Sequence, residues 1–369
     1  MSILTLLHRM VENESVDLYL TEGAPPIWRD EKIVEKGDAP LNSLQIEEFT
    51  KEILNTADYN KLTAYKELNH AFVDSEGNRF RFNFYYQRHS LGIVIRRIKR
   101  DIPTVEDLKL ADVFKHAIMI KHGLVLVVGN AGSGKSTSIA AMLNYRNEHS
   151  QGHVVTIEDP IEFTHEHKGC IFSQREIGID TNSWDAALKN ALRQRPDVVY
   201  IGEIRDKETM QHAIAFAETG HLCVATMHAT SASQAIERIA NLSTNAEKAQ
   251  RLFNLSNVLK IIIGQRLIPA KEGGMVLAMD ILKNDGLIKP LIAAGEVHEM
   301  REIMLKNSDY GMMTFDASLL QLYKERKISE ESAVLFADAP ENVKLEILKL
   351  SMSISNSTYP GSPLNKNEF

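Results

Sequence analysis

The chain has 369 residues, 44% hydrophobic and 25% charged, the make-up of a soluble globular protein too long for one ordinary compact domain. The 49 acidic against 42 basic residues give a formal charge of −7, so no global positive field draws nucleic acid, and two cysteines exclude a multi-bridge disulfide framework or a four-cysteine zinc site. No apolar run reaches the roughly 18 residues of a membrane-spanning helix, and MSILTLLHRMVENES lacks the basic n-region and small-residue cleavage site of a secretory leader.

Taken in chain order, residues 2–12 place Ile3, Leu6, Leu7 and Met10 on one helical face, and DLYLTEG then alternates like a short strand. APPIWRD is expected as a turn, because Pro25 and Pro26 exclude a helix. Residues 43–57 read as a helix opening at a Ser cap, with Glu47 and Glu48 in its first turns. Residues 70–98 read as strands, with a turn at Glu76, Gly77 and Asn78. Together 1–98 make a small α+β domain whose sheet has a basic edge. RDIPTVEDLKL, polar and interrupted by Pro103, suits an interdomain linker at 99–110. Beyond it, GLVLVVG, HVVTIED, DVVYIGE and HLCVATMHA are short apolar runs separated by helical stretches. That rhythm indicates an α/β domain over 111–352 with a parallel sheet covered on both faces. No internal repeat is visible. SNSTYPGSPLNKNEF has no periodicity, and 353–369 is expected to be a mobile tail. Cys170 and Cys223 are expected as buried small hydrophobes.

GLVLVVGNAGSGKSTSIAAML supplies a strand, then Gly129, Asn130, Ala131, Gly132, Ser133, Gly134, Lys135, Ser136 and Thr137, then a helix. This is G-x-x-x-x-G-K-[ST] in the strand-to-helix setting that gives it meaning. Glycines let backbone N–H groups converge on an anionic phosphate, and the helix N-terminus adds its partial positive charge. Lys135 would reach the β and γ phosphates of ATP, and Ser136 would ligate Mg2+.

Such a loop needs acidic residues opposite the phosphates, and two candidates close apolar strands. VVTIEDPIEF offers Glu158, Asp159 and Glu162 around Pro160. DVVYIGEIRD offers Glu203, where a Walker B strand commonly has Asp. His221 and His228 bracket the strand in GHLCVATMHAT. Either is a structural histidine or, for His228, a sensor hydrogen-bonded to a phosphate or carboxylate. His165 and His167 are expected as solvated loop residues. Arg79, Arg81, Arg96 and Arg97 crowd the small domain, while Arg193, Arg195, Arg205 and Arg238 lie in the large one. Surface salt bridging is the default for each, but the first cluster is a candidate for pairing with nucleotide in a neighbouring subunit.

These segments resemble the PilT/PilU type IV pilus retraction ATPases of the secretion-ATPase superfamily. The resemblance runs from DLYLTEGAPP to at least GMMTFDASLLQLY. GNAGSGKST looks like Walker A, TIEDPIEF like the Asp box, DVVYIGEIRD like the atypical Walker B, and GHLCVATMHAT like the His box. ETMQHAIAFAETGHLC and REIGIDTNSWDAALKNALRQRPD are closer to the PilU branch.

The resemblance implies a RecA-like P-loop ATPase core with a PAS-like N-terminal α+β domain. Glu162 would be the general base for water, Glu203 would organise Mg2+ together with Ser136, and His228 would sit near the nucleotide. Arg81 and Arg96 would point toward the γ-phosphate across a subunit interface. The expectation is a homohexameric motor at the cytoplasmic face of the inner membrane. It would bind an inner-membrane platform protein peripherally, work with a PilT-like paralogue, take no nucleic acid, and flex near Pro103. Three alternatives remain: an accessory ring supporting a catalytically dominant paralogue, a pilus-assembly or type II secretion ATPase, and a nucleic-acid translocase, which would need a basic channel and has the −7 charge against it. The second fits poorly, since those chains carry extra N-terminal domains and usually a four-cysteine zinc insert.

Overall fold

In a computed structural model, the described residues are 2–30, 33–98, 101–242, 244–306 and 311–357, with side chains described for all of these except 34, 245 and 353–357. The chain divides into two compact units. One takes in Met1–Thr104 and Asn147–Arg195, the other Val105–Arg146 and Pro196–Phe369.

The first unit is built on a six-stranded antiparallel sheet. Its order is Ile33–Lys36, Ile27–Arg29, Asp17–Thr21, Ser90–Ile98, Arg79–Gln87 and Glu67–Val73. Alternation sorts the side chains of RFRFNFYYQ. Phe80, Phe82 and Phe84 enter the core with Leu18, Leu20, Ile93 and Ile95, while Arg79 and Arg81 take the opposite face. The helix Ile3–Glu12 lays Ile3, Leu6, Leu7 and Met10 on that core, as their spacing requires, and Ser2 caps it.

Three local features depart from the sequence reading. APPIWRD is not all turn, because Ile27–Arg29 is a strand whose Trp28 is buried and donates its indole N–H to the Leu6 carbonyl at 3.2 Å. Proline forbids helix but tolerates extended backbone. The helix that opens near residue 43 is capped by Asn42, not by Ser43, in a reciprocal capping box with Gln45. It ends at Ile53, and Asn55 caps a separate helix, Thr56–Tyr65.

Within the same unit, Gly152–Glu158 and Cys170–Glu176 pair as parallel strands in continuous register, Glu158 opposite Glu176. Cys170 is buried, as expected. His165 is not the solvated residue expected. Its ring stacks on Phe172 with centroids 4.5 Å apart, and burial pulls its pKa down to about 4. His167 is exposed and accepts the Phe172 N–H at Nδ1.

The second unit orders its strands Met275–Lys283, Leu259–Pro269, Gly123–Val128, Leu222–Met227 and Val198–Ile201. The first pair is antiparallel and the rest are parallel. Every residue of Gly123–Val128, Leu222–Met227 and Val198–Ile201 is buried, which is why these strands read as unbroken apolar runs. Cys223 lies among them, and burial pushes its thiol far above the usual range. The C-terminal helices Phe315–Lys324, Glu330–Leu335 and Pro340–Ser357 pack on Ile268 and Ala278 through Phe315, Leu319, Val343 and Ile347. The last of these enters the stretch 353–369 expected as a tail. Residues 358–369 lie outside the described residues, as do 99 and 100 of the expected linker. Among the described residues no helix is long and apolar enough to cross a membrane.

Candidate active site

In the second unit, the loop between Gly123–Val128 and the helix Lys135–His149 has the form the motif predicts. Gly132 and Gly134 adopt positive φ, +74° and +85°, which L side chains rarely do. A Cβ on Gly132 would meet nothing within 4 Å among the described residues. Gly129 is the opposite case. A Cβ there would strike the Ser133 hydroxyl and lie 2.6 Å from the Gln265 carbonyl oxygen. Gln265 also donates to Ser138 Oγ at 2.6 Å, fixing the base of the loop. Lys135 is buried and donates Nζ–H bonds to the Gly129 and Asn130 carbonyls, both at 2.8 Å. Among the described residues, buried Ser133 Oγ has no hydrogen-bond partner. Asn130 and Ala131 are exposed, Ser136 and Thr137 half-buried at the start of the helix. A glycine cradle, a lysine resting on loop carbonyls and an unsatisfied hydroxyl fit a polyphosphate.

The Walker B and His-box residues stand beside this loop for a topological reason. Gly123–Val128, Leu222–Met227 and Val198–Ile201 are parallel neighbours, with Val128 opposite Met227 and Ala225 opposite Ile201. Gly129, His228 and Glu203 therefore leave the same edge of the sheet. Glu203 Oε2 accepts the Arg205 Nε–H at 2.6 Å, and Oε1 lies 3.3 Å from His228 Nε2. The His228 carbonyl accepts from Arg238 Nη1 at 2.6 Å, and Thr226 donates to the Gly202 carbonyl. His221, at the other end of its strand, bonds Thr219 and the Phe216 carbonyl, a structural arrangement.

In the first unit the remaining predicted residues also gather. Asp17, Arg96 and Arg81 form one cross-strand row, Asp17 opposite Arg96 and Arg96 opposite Arg81. Asp17 grips Arg96 through two bonds of 2.7 and 3.0 Å. This bond raises the Arg96 pKa against partial burial, with smaller contributions from the charges of Tyr19 and Glu162. Arg97 donates to the Val11 carbonyl. Glu162 is exposed at the end of the Asp box. Beneath it Glu158 is buried, accepting from Thr156 at 2.6 Å and Gln174 at 3.4 Å, and desolvation lifts its pKa to about 7.

Glu176 was missed by sequence reasoning. Its buried carboxylate faces Arg79 and Arg81 at 3.5 and 3.8 Å. The one signal for it was that REIGID lay inside a stretch with family wording.

Residues 75–290 match the family described as type II/IV secretion system protein. The type IV pilus ATPase PilU of Pseudomonas aeruginosa is 44% identical over 344 residues, 93% of this chain and 90% of that protein. The type IV pilus retraction ATPase PilT of the same organism is 38% identical over 343 residues, 93% of this chain and 100% of that protein. The crystal structure of the pilus retraction motor PilT with bound ADP superposes with a TM-score of 0.85 at 36% identity, covering 93% of this chain and 98% of that one. The chain belongs to the type II/IV secretion system protein family and, within it, to the PilT/PilU type IV pilus ATPases.

Proposed function

We propose that this chain is an ATP-hydrolysing motor that powers type IV pilus retraction, working as a homohexamer. The observation that carries this reading is the meeting of the Gly129–Thr137 loop, Glu203 and His228 at one edge of three adjacent parallel strands. Its likeness to PilU and PilT supplies the biological context.

In this reading Gly129–Thr137 hold the triphosphate on backbone N–H groups, and Lys135 exchanges its loop carbonyls for the β and γ oxygens. Ser136 and Glu203 would hold Mg2+, which would supply positive charge to neutralise the transferring phosphoryl group. Arg205 and His228 set the orientation of the Glu203 carboxylate. Glu162 takes a proton from the attacking water as its oxygen bonds to the γ-phosphorus, and the β–γ bridging oxygen leaves with ADP. Arg81 and Arg96, supplied by a neighbouring subunit, stabilise the charge on the γ-phosphoryl oxygens.

Residues 1–98 serve as the PAS-like domain, 99–110 as its linker, and 111–352 as the RecA-like core, with flexing near Pro103 carrying the stroke. The ring would sit at the cytoplasmic face of the inner membrane against a platform protein, alongside a PilT-like paralogue.

Phosphate release by the purified protein with Mg-ATP tests the reading. Activity abolished in Lys135→Ala and Glu162→Gln supports it. Absence of turnover in the unmodified protein would instead favour an accessory ring.

A further inference from the structure

Glu176 closes the strand Cys170–Glu176, and three groups converge on its buried side chain. Oε2 accepts the backbone N–H of Ile161, the residue before Glu162, at 3.3 Å. The same oxygen faces Arg79 Nη2 at 3.5 Å, and Oε1 faces Arg81 Nε at 3.8 Å. Glu176 thus holds the Asp-box backbone next to Glu162 from a strand end that lies opposite Glu158 in register, and it faces the arginines of the N-terminal sheet as well.

We propose that Glu176 is a positioning residue that couples the arginine pair Arg79 and Arg81 to the backbone of the Asp-box loop, so that the presentation of Glu162 follows the state of those arginines. The proposal rests on the ATPase reading above for its consequence, though not for its geometry. The physical argument concerns an unpaired buried charge. While Arg79 and Arg81 face Glu176, its carboxylate has counter-charge and can hold Ile161. If an anionic phosphate draws Arg81 away, the carboxylate is left with less compensation in a site where burial already raises its pKa. It must then protonate or turn toward water, and either change alters its bond to the Ile161 N–H. Engagement of an arginine is thereby reported to the residue that handles water.

Two measurements test this. In nucleotide-free full-length protein, Arg81→Gln should speed hydrogen exchange at the Ile161 amide about tenfold, with the core strand 80–84 unchanged. Unchanged or slower exchange at Ile161 overturns the proposal. In steady-state turnover, Glu176→Gln keeps an amide oxygen for Ile161 but loses the charge facing the arginines. It should lower kcat about tenfold with KM for ATP within about twofold, and the Arg81→Gln/Glu176→Gln double variant should be no worse than its weaker parent. Effects that multiply overturn the coupling. Should Glu176→Gln not fold, the exchange measurement on Arg81→Gln still decides. Should the unmodified protein release no phosphate, the ATPase reading fails and the exchange result still judges Glu176.

Discussion

Nε2 of His228 lies 3.3 Å from Oε1 of Glu203, while the other oxygen of that carboxylate takes the Arg205 Nε–H at 2.6 Å. The carboxylate is held from two sides, and His228 is itself anchored through its carbonyl by Arg238. On the proposed reading, a carboxylate held this way would orient a metal-bound water rather than move a proton. His228→Ala should therefore lower kcat by roughly tenfold, and Glu203→Gln by at least about a hundredfold, with smaller changes in KM. Phosphate release measured across ATP concentrations checks this ranking. A fully active His228→Ala would mean that the contact is only structural.

The two ends of the phosphate loop should respond differently to one added methyl. At Gly129 a Cβ would come within 2.6 Å of the Gln265 carbonyl, a backbone atom of a central strand that cannot step aside. Gly129→Ala should cost about 1–3 kcal/mol and abolish tight nucleotide binding. At Gly132 there is open space, and alanine pays only for φ of +74°, on the order of 1 kcal/mol. Thermal melts and titration with a fluorescent ATP analogue check the order. A Gly132→Ala protein less stable than Gly129→Ala would contradict it.

The nucleotide-binding half of this protein is legible because its signals are local. A buried parallel strand is an apolar run, a phosphate loop is a glycine spacing, and Glu203 and His228 follow their strands by one or two residues. Parallel pairing then puts those strand ends together without further information. What could not be read depends on distant partners. Glu176 meets Arg79 across 97 positions of sequence, and its strand, CIFSQRE, is too polar to announce itself. The same limit explains Trp28, whose burial depends on the N-terminal helix rather than on its proline-flanked neighbours. Asn42 was overlooked for a smaller reason: Ser43 beside it is an equally good capping residue, and only backbone geometry separates cap from first turn.

Arg96 is fixed by a fork that lysine cannot copy. Its Nε and Nη2 bond the two oxygens of Asp17 at 2.7 and 3.0 Å, while its side chain stays more than half exposed. Such a pair adds little stability in water but strongly restricts direction. Arg96→Lys should leave the melting temperature within about 2 °C while lowering turnover several-fold, because charge survives and orientation does not. Asp17→Asn should act in the same sense and add little to Arg96→Lys when combined. Turnover equal to the unmodified protein in both variants would remove Arg96 from the catalytic set.

The pH dependence of stability should carry the mark of two buried carboxylates, one in each compact unit. Burial lifts Glu158 from 4.5 to about 7 and Asp280 from 3.8 to about 7, the latter although it accepts the Ala232 N–H at 2.7 Å. Between pH 4 and 7 the folded chain then binds more protons at these sites than the unfolded chain does. Stability from each is fully present below the unfolded pKa, falls as pH rises through that window, and levels off above it. Each ionisation costs on the order of 3–4 kcal/mol by pH 8. Glu158→Gln and Asp280→Asn keep an acceptor oxygen but cannot ionise. Each variant should melt near the unmodified protein at pH 5 and measurably above it at pH 8, with roughly additive gains in the double variant. Melting curves from pH 5 to 8 give the difference directly. A variant-minus-parent difference that stays flat with pH would show that the corresponding carboxylate titrates in the fold as it does in the unfolded chain.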